Sequence, residues 1–186
     1  MTISLTAAAL AVAGCGSEER QDANEPAGTF TVDITTASFP AKQQIAAPSK
    51  MKIDVKNTGE QTIPNVAVTV DSFTRRSEQP GLADPERPVW VVDEGPVGGD
   101  TAFTNTWALN ALKAGETKSF EWDVTPIEPG RYTIKYTVAA GLDGKAKAVE
   151  AGGGPVTGTF PVQISKTPEQ SRVDPATGEV QRLEEK

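Results

Sequence analysis

From Phe30 onward the hydrophobic residues recur at every second position. Phe30, Val32 and Ile34 alternate with Thr31, Asp33 and Thr35, and Met51, Ile53 and Val55 with Lys50, Lys52, Asp54 and Lys56. Val66, Val68 and Val70 alternate with Ala67, Thr69 and Asp71, and the same period runs through residues 120–124, 132–138 and 160–164. A period of two is the mark of β-strands. One polar face per strand predicts antiparallel sheets wetted on one side, not the doubly buried strands of a parallel α/β core. Turn chemistry separates the runs: Asn57-Thr58-Gly59, Lys113-Ala114-Gly115-Glu116, Pro129-Gly130 and Gly152-Gly153-Gly154-Pro155. Asp143-Gly144 is a hairpin dipeptide, so the alanine-rich pieces on either side of it, 139–141 and 146–151, are expected to pair as a hairpin instead of forming helix. Seven or more short strands of this kind predict a two-sheet sandwich.

Composition agrees with one packed domain plus tails. The 186 residues are 37% hydrophobic with 17 glycines besides, which together reach the roughly 45–50% of globular chains. Chemistry is narrowed more sharply. A formal charge of −7 argues against a nucleic-acid partner, because phosphate contacts need clustered cations. With no histidine, the chain lacks the commonest general base and the commonest transition-metal ligand. A single cysteine excludes an internal disulfide or a multi-cysteine metal site. No cofactor is expected, and no catalytic set stands out. A glycosidase needs two facing carboxyl groups, and nothing in the pattern pairs two of them.

The pattern carries two resemblances. Ile53-Asp54-Val55-Lys56-Asn57-Thr58-Gly59 followed by Val66-Ala67-Val68-Thr69-Val70 resembles the opening of CARDB-type adhesion modules: a strand, an Asn-x-Gly turn and a second alternating strand. Gly130-Arg131-Tyr132-Thr133-Ile134 resembles the immunoglobulin strand that carries a tyrosine corner, with Ile134 standing where antibodies have cysteine. The implied fold is an antiparallel immunoglobulin-like β-sandwich of about seven to nine strands over residues 29–165, with unstructured N- and C-terminal segments.

A third resemblance lies at the N-terminus. Residues 3–13 are apolar or small but too few to span a bilayer as a helix. They fit the apolar region of a secretory signal, and they end in Val12-Ala13-Gly14-Cys15, which resembles the lipobox of bacterial lipoproteins. The resemblance implies cleavage before Cys15, lipid on its thiol and an extracytoplasmic, membrane-anchored protein. No basic residue precedes Arg20, so the natural chain is expected to start further upstream. Residues 1–14 are then signal, 15–28 a lipidated cysteine and polar tether, and 166–186 a charged tail too poor in apolar residues to offset the entropy of ordering.

What such a domain binds is less legible. The connection over residues 74–109 is long for a sandwich and holds two further strand-like pieces, 89–92 and 101–109. Trp90, Phe103 and Trp107 lie here: exposed, they form a binding surface; buried, they fill the space between the sheets. Asp93, Glu94 and Asp100 flank a Gly-rich turn and are a weak candidate for calcium. The expected function is a non-catalytic, lipid-anchored interaction module for an envelope protein or glycan. The alternative is a structural or accessory envelope domain with no small-molecule ligand. Exposure of the two tryptophans separates them.

Overall fold

A computed structural model describes residues 22, 25–71, 73–76, 81, 86–168 and 171–182. Cys15, the signal-like segment and most of the tether lie outside the described residues. In chain order the strands are β1 (Gly28–Ser38), β2 (Lys42–Gln44), β3 (Ser49–Asn57), β4 (Ala67–Asp71), β5 (Thr74–Arg76), β6 (Glu86–Pro88), β7 (Trp90–Glu94) and β8 (Asp100–Phe103). They continue as β9 (Thr106–Ala108), β10 (Thr117–Pro126), β11 (Gly130–Ala139), β12 (Ala146–Val149), β13 (Thr157–Ser165), β14 (Ser171–Val173) and β15 (Val180–Arg182). The described residues contain no helix.

Two sheets face each other. One has the order β12-β1-β3-β10-β7 and the other β2-β13-β11-β4-β9-β8. The long strands are the ones that the alternation identifies, and their inward residues form the core: Met51, Ile53, Val55, Phe120, Trp122, Val124 and Ile134 are all at 0% exposure. The intervening residues of β3 and β10 carry charge on the solvent face, where Lys52 meets Glu121 at 3.0 Å and Lys50 meets Asp123 at 3.1 Å. A one-residue slip would bury these charges and expose the core side chains, so burial and charge together fix the register.

The sheets hold more strands than the sequence suggests because short segments extend their edges. Of these, β2 and β12 pair parallel to their neighbours, whereas the remaining pairs are antiparallel. The expected hairpin at Asp143-Gly144 does not form. Asp143 Oδ1 accepts the Lys145 backbone N–H at 2.8 Å, and the chain then crosses to the opposite sheet, where β12 lies beside β1. Turn chemistry is local, but the partner is chosen by burial, and Ala146 and Ala148 bury themselves against β1. Likewise residues 101–109 make two strands, β8 and β9, which close a hairpin on the β4 edge, while β7 joins the other sheet. In the charged tail β14 and β15 pair as a hairpin, with Val173 and Val180 both exposed.

The Asn-x-Gly turn proves to be more than a turn. Asn57 is fully buried, its amide donates to the carbonyls of Gln61 and Leu112, and its Oδ1 accepts the Gly59 N–H at 3.0 Å. Every polar atom of the side chain is thereby used, which is what a buried amide requires. The tyrosine corner is present as well: Tyr132 donates its hydroxyl to the Pro129 carbonyl at 3.2 Å. Its ring folds back over Gly130, where a Cβ would come within 3.0 Å of ring atoms.

Further along β11, Tyr136 is buried and stacked on Phe160. It lies across from Gly158, where any Cβ would collide with its ring. Burial, and then the nearby Glu150 charge, push the phenol above its ordinary range. The folded chain therefore holds this proton more tightly than the unfolded one. The stabilisation is complete below the ordinary tyrosine value of about 10 and is lost as pH rises through the higher folded value. Alkaline denaturation followed by phenolate absorbance should show Tyr136 ionising together with unfolding, and Tyr136→Phe should remove that coupling.

Candidate functional site

The aromatic residues of the long connection lie inside. Trp90 is 2% and Trp107 8% exposed, and only Phe103, at 51%, reaches solvent. The exposed patch of Trp90, Phe103 and Trp107 is therefore not formed. The two indoles instead complete an aromatic column between the sheets: Trp107 meets Trp122 edge-on at 5.4 Å and Phe73 at 6.2 Å, and Trp90 contacts Phe73, Phe39 and Tyr132. Local alternation could not settle this, because whether a ring in an irregular connection is buried depends on what the distant strands leave open.

Of the calcium candidate, only Asp93 and Glu94 have described side chains. Asp93 Oδ2 accepts the Thr125 hydroxyl at 2.7 Å on the solvent face of the β7–β10 pair. Among the described residues, no three acids gather as metal ligands, and the Asp100 side chain is not among them.

Concave surface occurs instead where the sequence offers no signal, around β2. An open depression of about 740 Å³ runs between β2 and the start of β3, lined among others by Pro40, Lys42, Gln44 and Lys50. A second, of about 450 Å³, lies over the outer face beside it and is lined by Arg131, Thr133 and Pro161. Lys42 and Gln163 line both. Register explains the meeting: Arg131 on β11 sits opposite Gln163 on β13, which sits opposite Lys42 on β2. Directly paired residues share a face, so a cation, an amide and a cation stand in one row with strand spacings of about 4.8 Å.

Gln43 ties this edge to the core. Its side chain is buried, its Oε1 accepts the Trp90 indole N–H at 2.7 Å, and its Nε2 donates to the Pro40 carbonyl at 3.0 Å. β2 is only three residues long and paired on one side, yet this contact bridges it to β7 in the opposite sheet. A glutamine in the run Lys42-Gln43-Gln44 carries no mark of such a role.

The segment ahead of β1 is held at the other end of the molecule. Glu25 Oε2 accepts the backbone N–H groups of Leu142 at 2.5 Å and Asp143 at 3.3 Å, just before β1 begins. A Cβ at Gly141 would strike the same carboxylate. β1 then runs its 11 residues toward the depression, roughly 35 Å away at strand rise.

No protein-family model and no curated protein matches the chain. Among solved structures it is similar to the CARDB domain of the PF1109 protein from Pyrococcus furiosus, in complex with di-metal ions, at 18% identity and a TM-score of 0.44, over 74% of this chain and 94% of that one. It is also similar to a cohesin module from a Clostridium perfringens family 33 glycoside hydrolase, at 10% identity and a TM-score of 0.46, over 74% of this chain and 98% of that one. The Escherichia coli alpha-2-macroglobulin fragment that spans domain MG7 to the C-terminus is similar at 12% identity and a TM-score of 0.41, over 81% of this chain and 21% of that one.

Proposed function

We propose that this protein is a lipid-anchored, non-catalytic interaction module on the extracytoplasmic face of a bacterial membrane. The observation that carries the reading is the Val12-Ala13-Gly14-Cys15 motif, set a short tether ahead of a β-sandwich. Ten residue steps separate Cys15 from the docked Glu25, at most about 35 Å of extended chain. A domain lipidated at Cys15 would thus stand close to the bilayer, with the β1 start toward the lipid and the β2 end outward. Diacylglycerol plus an N-acyl chain would supply the several acyl chains that stable anchoring requires. The absence of histidine and the use of the sole cysteine for lipid support a non-catalytic role.

Mass spectrometry of the mature N-terminus is the test. The expected result is a chain beginning at a diacylglyceryl Cys15, and a Cys15→Ser variant that moves from the membrane pellet to the soluble fraction. An unmodified thiol, or a pelleting Cys15→Ser variant, overturns it. A second reading, an envelope spacer without a ligand, is favoured by the burial of Trp90 and Trp107, since the aromatic surface expected to bind is core.

A further inference from the structure

We propose that the depression around β2 is a docking site for an extended acidic peptide segment of a partner protein, held by the Arg131–Gln163–Lys42 row. The inference deepens the interaction-module reading and rests on it. Charge selects the partner's sign. The chain carries −7 overall, and three of the described lysines, Lys50, Lys52 and Lys145, lie within 4 Å of acids. Among the described residues Lys42 and Arg131 make no ion pair, and both are exposed. They stand two strands apart, about 10 Å between backbones, with no acid in the row between them. Acids two or three residues apart in an extended segment are separated by about 7–10 Å, within reach of the two long side chains.

The neutral lining selects a peptide over a phosphate. Gln163 and Gln44 each present an amide that both donates and accepts. Inorganic phosphate offers at most one or two O–H donors for those carbonyls and no apolar surface, whereas a peptide backbone offers a run of N–H and C=O groups alike. Pro40, Pro161 and Ala41 add apolar surface for its non-acidic side chains. The flanking Pro40 and Pro48, with a β2 of only three residues, discourage open-ended sheet extension. Recognition therefore runs across the strands through side chains and not by addition of a long strand. The Gln43–Trp90 bond holds the β2 backbone in place beneath the row, so the site is formed before a partner arrives.

The test uses the full chain in detergent micelles and a fluorescein-labelled hexapeptide of alternating glutamate and threonine, read by fluorescence anisotropy at low ionic strength. Saturable binding is expected. It should weaken at least tenfold in Lys42→Glu/Arg131→Glu, by a smaller factor in Lys42→Gln/Arg131→Gln, and not at all in Lys113→Glu at the opposite end. Thermal melting should be unchanged in each variant, because the replaced side chains are exposed. Equal binding by the wild type and the double charge-reversal variant overturns the proposal. So does equal binding of a lysine–threonine hexapeptide, or displacement of the acidic peptide by equimolar inorganic phosphate, which would mark a phosphate site. The lipid on Cys15 is read separately by mass spectrometry, so loss of the anchor and loss of this site are distinguishable results.

Discussion

Trp122→Ala is expected to destabilise the domain by about 3–5 kcal/mol, the range for truncating a large buried aromatic. Trp122 lies in the middle of β10 with no exposed surface, between Phe120, stacked at 6.0 Å, and Trp107, edge-on at 5.4 Å. Neighbours on both sides belong to regular strands and cannot collapse into the void, so most of the cavity would persist. Trp122→Phe separates packing from polarity. The indole Nε1 is buried without a hydrogen-bond acceptor among the described residues, so phenylalanine removes an unsatisfied donor along with some volume. Its cost should stay well below that of the alanine variant. Urea denaturation of the three proteins measures both differences, and a loss under about 1 kcal/mol for Trp122→Ala, the usual surface range, would refute the register of β10.

Trp90→Ala is expected to cost a similar 3–5 kcal/mol, but here the contrast with phenylalanine reverses. The Trp90 N–H is the partner of a buried glutamine, and Trp90→Phe strands the Gln43 Oε1 inside the protein. An orphaned buried acceptor costs about 1–3 kcal/mol in addition to lost packing. Trp90→Phe should therefore be more damaging than Trp122→Phe, although both replace one indole with one benzene ring. Combining it with Gln43→Leu should recover part of the loss, because the stranded acceptor disappears with its partner. A double-mutant cycle over Gln43 and Trp90, measured by urea denaturation, reads the coupling directly. Additivity within about 0.5 kcal/mol would show that this bond does not tie β2 to the core.

The long strands were legible because each must satisfy a single demand: apolar residues in, polar residues out, with period two. Residues such as Lys50, Met51, Lys52 and Ile53 state their own orientation, whatever their neighbours are. The short edge strands were not legible. β2 and β12, three and four residues long, are too brief for a period, and their parallel pairing depends on where the ends of β13 and β1 come to lie. The candidate site shares this limit. Lys42, Arg131 and Gln163 come from three separate strands and become neighbours only through register, so no local motif announces them.

Alone, the sequence determined the fold class, the inward set of the major strands and the buried Trp122, because local composition and periodicity encode each of these. The tertiary structure decided that Trp90 and Trp107 are core and not surface, that Asn57 is a buried bracket, that Glu25 fastens the segment ahead of β1, and that two cations flank Gln163. The physical reason is common to all four. Burial and hydrogen-bond partnership are properties of the space that remains once distant strands have packed, and that space has no counterpart in the order of residues along the chain.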